Sequence, residues 1–190
     1  MNKTLQSLHI LHLISQLIKN YLNSLATEVS DNVNSSSFVF LGMKSMILIL
    51  TKSFLDEWKG LVSVIEPNDK EIIIECRRKA KPFIDRINEW KDINEFRNSV
   101  LAHNFRKGKE FNHENVFIGN HINSLVVPED ITELVLLSYL IIDATSIVTK
   151  PFSEQLDKTV EQLYKSESNR IPKKIDPIQE IERIRKKIKP

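Results

Sequence analysis

The stretch FIDRINEWKDINEFRNSVLAHN, residues 83–104, places apolar side chains at Phe83, Ile84, Ile87, Trp90, Ile93, Phe96, Val100 and Leu101 and contains neither Gly nor Pro. Recurrence every three or four positions is the mark of a helix with one buried face. The spacing therefore predicts a helix anchored by its apolar side, with Arg97, Asn98, His103 and Asn104 carried on it.

Outward from this stretch the same period dominates. Upstream, Asn68 or Asp69 is placed to cap a helix that carries Glu71 and Glu75 near its start and Arg77, Arg78, Lys79 and Lys81 toward its end, the order a helix dipole prefers. Pro82 then kinks or restarts the chain, because it lacks an amide hydrogen and crowds the preceding turn. Leu5, Leu8, Leu11, Leu13, Ile14, Leu17, Ile18, Tyr21, Leu22 and Leu25 mark one face of a long first helix, with Thr4 as its N-cap. Residues 38–58, apolar on most sides, predict a second helix in the middle of the bundle. Downstream, residues 106–129 form a long connection with a short strand or hairpin around 116–118 and 125–127. Pro128, Glu129 and Asp130 open a last long helix through Ile131, Leu134, Leu137, Ile141 and Ile147, extending toward Tyr164 despite Pro151.

These readings combine into an all-α protein: an up-and-down bundle of four to five helices, with a short irregular or hairpin insert and a flexible basic C-terminal tail. With 190 residues, 41% hydrophobic, the chain suffices for one full core, assigned to residues 1–165, with 166–190 as tail and linker. The tail either forms a short basic amphipathic helix on a partner or stays solvated, and its length and charge favour the second. The single Cys76 cannot form an intramolecular disulfide, which fits a reducing cytoplasm. Residues 1–21 mix Leu and Ile with His, Gln, Ser and Lys, unlike a secretory signal, and Lys44 and Lys52 interrupt the apolar run at 38–55, so no membrane span is expected.

Net charge is +2, unevenly placed. Residues 165–190 hold nine Lys or Arg against four Asp or Glu, a surplus of +5, and the preceding 164 residues hold 18 against 21, or −3. The body is no general polyanion platform, so contact with RNA needs a local patch, for which Asn104, Arg106, Lys107 and Lys109 are the candidates.

Arg97 is followed after five residues by His103, with Asn98 directly behind the arginine and Ala102 and Asn104 flanking the histidine. This run resembles the motif of HEPN domains, in particular their abortive-infection and toxin branches. Arg106 and His113 satisfy a similar spacing, but Gly108 and the polar residues around it mark a loop. The resemblance covers roughly residues 38–150 as a helical pattern, and only the short motif is specific. It implies an all-helical, homodimeric, metal-independent endoribonuclease with no cofactor, acting in toxin–antitoxin or phage-defence biology, with an antitoxin protein as a further partner. In the branch neutralised through a tyrosine two residues after the histidine, this chain has Phe105, which offers no hydroxyl to modify.

The chemistry suits the residues. Arginine grips a phosphate through a planar fork of donors, and histidine exchanges protons near neutrality. Arg97 and Asn98 would hold the scissile phosphate and His103 would move protons. Six steps along a helix turn by roughly 240° and rise about 9 Å, so Arg97 and His103 do not share one stripe. A two-fold dimer that joins two such helices gathers the missing partners. The alternative is a non-catalytic HEPN-like module that binds RNA or a protein, with Arg97 paired to Asp92 or Glu95 and His103 bonded within a helix contact. Elsewhere, His9 and His12 lack a nearby carboxylate or cysteine and read as surface or groove histidines, and His113 and His121 flank the loop, so no metal site is expected. Phe105, Phe111 and Phe117 could stack bases, though burial is the simpler account. The sequence has no Gly-rich phosphate loop, nucleophile elbow or zinc-type cysteine pair.

Overall fold

The structure, a computed structural model, describes residues 2–29, 38–98 and 124–167. The chain forms two compact units, Met1–Leu156 and Asp157–Pro190. In the first, α1 (Lys3–Val29), α2 (Phe38–Gly60), α3 (Lys70–Asn88), α4 (Ile93–Arg97) and α5 (Ile131–Thr149) follow in order, with 3-10 turns at Leu61–Val64, Pro67–Asp69 and Lys150–Phe152. A further helix, α6 (Ser153–Glu167), begins at the end of this unit and supplies the described part of the second. Among the described residues there is no strand, and the protein is all-α. Residues 116–118 and the tail beyond 167 lie outside the described residues, whereas residues 125–127 are irregular.

Helix starts have local causes. Asn2 caps α1, its Oδ1 accepting from the Thr4 and Leu5 amides at 2.7 and 3.3 Å. Thr4, expected as the cap, instead sits buried inside the first turn. Its hydroxyl accepts from the Glu66 amide at 2.8 Å and donates to the Val64 carbonyl at 3.4 Å, tying α1 to the segment between α2 and α3. Asp69 occupies the cap position of α3 without bonding its amides, because Oδ2 accepts from the Asn2 side chain at 3.1 Å. Asp130 caps α5 through the Glu133 amide at 2.9 Å, and Glu133 reaches back to the Glu129 amide at 2.8 Å. Pro82 does not restart α3, which runs on to Asn88. Both Pro82 and the Arg78 whose carbonyl loses its donor are exposed, so water can supply the missing bond.

The ten apolar residues expected on one face of α1 divide into two rows. Leu8, Leu11, Ile14, Ile18, Leu22 and Leu25 are buried, whereas Leu13 and Leu17, with Ile10, are exposed. A period of 3.6 accounts for the split, since positions 10, 13 and 17 form a second row turned away from the first. The middle of the bundle also differs from expectation. It is taken by α5, which packs against α1 and α3 and touches α2, while α2 lies along α1 and supports α4. Between Ile131 and Thr149 only Glu133 and Asp143 are charged, so α5 can bury more of its circumference than α2, which carries Lys44, Lys52, Asp56, Glu57 and Lys59. The helical stretch Ile131–Glu161 is long and apolar enough to cross a membrane by length and composition, an 18-residue window of it having mean hydropathy 1.8. In this fold Leu134, Leu137, Ile141, Ala144 and Val148 of α5 are fully buried in the protein core, and each large aliphatic among them contributes roughly 1.5–3 kcal/mol.

Candidate functional site

The helix expected to run unbroken from residue 83 into the motif is interrupted. Helix α3 ends at Asn88, residues 89–92 turn, and α4 starts at Ile93. The apolar period survives the break because the turn is itself packed: Trp90 is buried, and its amide donates to the Ile87 carbonyl at 3.2 Å. The Arg86 guanidinium lies 4.1 Å from the centroid of the Trp90 ring. Ile93 and Phe96 then seat the inner face of α4 in the core, where it meets α2.

Asp92 fixes the start of α4 from the other side. Its Oδ2 accepts from the Val126 amide at 2.8 Å, and its own amide donates to the Val126 carbonyl at 3.3 Å. These bonds span 34 residues of chain. Its carbonyl also accepts from the Phe96 amide at 2.8 Å, closing the first turn. The long connection that leaves after α4 therefore returns to the beginning of the same short helix. Replacing Asp92 by Ala is expected to cost about 1 kcal/mol and lower Tm by about 2–4 °C, with most of it recovered in Asp92→Asn, which keeps an acceptor. An unchanged Tm in Asp92→Ala would show that the latch contributes nothing.

On the outer side of α4, Asn94, Arg97 and Asn98 stand at i, i+3 and i+4, on one face. Asn94 and Asn98 are exposed and Arg97 is half-buried. The Asn98 amide is shared between the Asn94 and Glu95 carbonyls, so the backbone is wound at the point where the motif continues. Among the described residues the Arg97 guanidinium has no carboxylate partner, and Asp92, one of the two expected partners, accepts from the Val126 amide. The structure thus places two of the expected catalytic residues, Arg97 and Asn98, next to each other at the end of a helix whose start is held by Trp90 and Asp92. His103, Asn104, Arg106, Lys107 and Lys109 lie outside the described residues, as do Phe105, His113 and His121.

A feature not anticipated from sequence lies beside this face. Lys52, Asp56 and Lys59 of α2, Arg77 of α3, Lys91 of the turn and Asn94 of α4 line a cleft of about 560 Å³, floored by Trp58 and Trp90. Its signal was available in the spacing of Lys52, Asp56 and Lys59 along one helix. The partners on α3 and α4, distant in sequence, could be joined to them only by the fold.

His9 and His12 of α1 are both half-buried. Burial, and then the neighbouring His12, push the His9 imidazole below its usual range and favour its neutral form. Among the described residues no cluster of three or more His, Cys, Asp or Glu could hold a metal ion. Burial raises the Cys76 thiol, opposite to the shift of a reactive thiolate. No protein-family model, curated protein or solved structure matches the chain.

Proposed function

We propose that this protein is a metal-independent endoribonuclease of the HEPN type, acting as a homodimer in the cytoplasm, in toxin–antitoxin or phage-defence biology. The observation that carries the reading is Arg97: a partly exposed arginine with no carboxylate partner among the described residues, next to Asn98, on a short helix whose start is pinned by Trp90 and Asp92. A partly exposed arginine without a counter-charge keeps its planar fork of donors available to a ligand. A phosphate would supply the missing counter-charge in bidentate form.

The reaction needs little from the protein. The ribose 2′-oxygen attacks the adjacent phosphorus, the 2′ proton passes to a base, and the bond from phosphorus to the departing 5′-oxygen breaks as that oxygen takes up a proton. The products are a 2′,3′-cyclic phosphate and a free 5′-hydroxyl. His103 serves as base or acid in these transfers. Arg97 and Asn98 hold the non-bridging oxygens as charge builds on them. Asn104, Arg106, Lys107 and Lys109 follow the motif closely enough in sequence to reach the neighbouring backbone.

A labelled RNA pool incubated with the full chain in EDTA tests the reading, with the solution mass measured in parallel. Cleavage that leaves cyclic phosphate ends, from a dimer, is the expected result. Intact RNA after incubation with folded dimer would instead support the non-catalytic module that binds RNA or a protein partner.

A further inference from the structure

We propose that the cleft between α2, α3 and the start of α4 is a phosphate subsite that holds the backbone of a single RNA strand alongside the Arg97 helix. The choice of RNA rests on the ribonuclease reading, but the cleft's preference for an anion does not. Four cations line it, Lys52, Lys59, Arg77 and Lys91, against one carboxylate, Asp56. That carboxylate is already engaged by Lys52. Among the described residues Lys59, Arg77 and Lys91 have no ion-pair partner.

Arg77 separates this cleft from an ordinary solvated basic face. Its side chain is half-buried, its guanidinium lies 4.8 Å from the centroid of the Trp58 ring, and one of its nitrogens donates to the Trp58 carbonyl. Trp58 is held in turn by Phe54, with ring centroids 5.7 Å apart. A cation fixed in this way has already lost most of its rotamer freedom, so a ligand that meets its remaining donors incurs less ordering cost than one that meets a free lysine. The cleft's volume, about 560 Å³, admits a nucleotide-sized group. Its direction is set by α4: Asn94 lines the cleft, and Arg97 and Asn98 follow one turn later on the same face. A strand whose scissile phosphate lies on Arg97 can therefore lay a neighbouring phosphate in the cleft.

The chain's only two tryptophans, Trp58 and Trp90, both line the cleft, so intrinsic fluorescence reports on its occupation. The probe is a fluorescein-labelled, fully 2′-O-methylated oligoribonucleotide of about ten residues, which cannot be cut because its 2′-oxygens are blocked. Binding is followed by anisotropy over a range of salt with wild type, with Lys59→Glu/Lys91→Glu, and with Lys3→Glu/Lys19→Glu as a charge-matched control on exposed positions of α1. The cleft pair is expected to weaken binding by about tenfold or more and to lower the salt slope by about two, with the control pair within about threefold of wild type. In wild type, saturation with an unlabelled copy of the oligonucleotide is expected to change tryptophan emission. Equal weakening by both pairs, unchanged emission at saturation, or inorganic phosphate giving the same emission change without displacing the oligonucleotide would each overturn the proposal. Since the probe is not cleaved, binding in the cleft by a protein that fails to cut RNA refutes only the nuclease, and cutting without cleft binding refutes only the subsite.

Discussion

His103→Ala is expected to reduce RNA cleavage about 10²–10⁴-fold, the usual effect of removing a positioned proton donor or acceptor, while folding and dimer mass remain those of wild type. Arg97→Ala removes the group proposed to meet the developing charge and is expected to cost about 10²–10³-fold. Arg97→Lys keeps the charge but loses the planar fork, and should recover only a small part. The two losses will not multiply in the double variant, because residues acting in one step fail together. On one ideal helix Arg97 and His103 would not share a stripe, so each site of the proposed dimer is expected to draw on both copies. An equal mixture of Arg97→Ala and His103→Ala chains, exchanged through unfolding and refolding, should then regain up to about a quarter of wild-type activity, since half the dimers are mixed and each holds one complete site. Failure to regain activity while mixed dimers are present would place each site within a single chain. Loss of folding in His103→Ala would make the histidine structural and leave the non-catalytic reading.

How much of this was legible in the sequence depended on whether a feature is local. The period through Ile84, Ile87, Ile93 and Phe96 correctly announces a buried helical face, because local geometry and burial coincide there. The same period is blind to the turn at residues 89–92, since a turn that packs a tryptophan preserves the spacing while breaking the hydrogen-bond ladder. The cap at Asp130 could be read from Asp130 and Glu133 alone. The role of Thr4 could not, because its partners Val64 and Glu66 lie some sixty residues away. The candidate site divides in the same way. Arg97 and Asn98 stand out as a dipeptide in a helix, but what holds them, Asp92 to Val126 and Arg86 over Trp90, and the cationic cleft beside them are products of tertiary structure.

Replacing Trp90 by Ala is expected to be the most damaging single change outside the motif, at about 3–5 kcal/mol, or a fall in Tm of about 6–20 °C for a chain of this size. The side chain is buried in the turn between α3 and α4, takes the Arg86 guanidinium on its face, and forms part of the cleft floor. Truncation opens a cavity that two helix ends cannot close independently, because Ile87 and Ile93 on either side are themselves packed in the core. Trp90→Phe retains an aromatic ring for Arg86 and fills most of the volume, so a loss of only about 1–2 kcal/mol is expected. The pair separates two roles of the residue. If Trp90 neither positions α4 nor shapes the cleft, both variants should bind the 2′-O-methylated oligonucleotide as wild type does at temperatures where they are folded. If Trp90 sets the position of α4 relative to α2 and α3, Trp90→Ala should weaken that binding and RNA cleavage together while Trp90→Phe preserves both, since Lys91, Asn94 and Arg97 are carried by the segment it anchors.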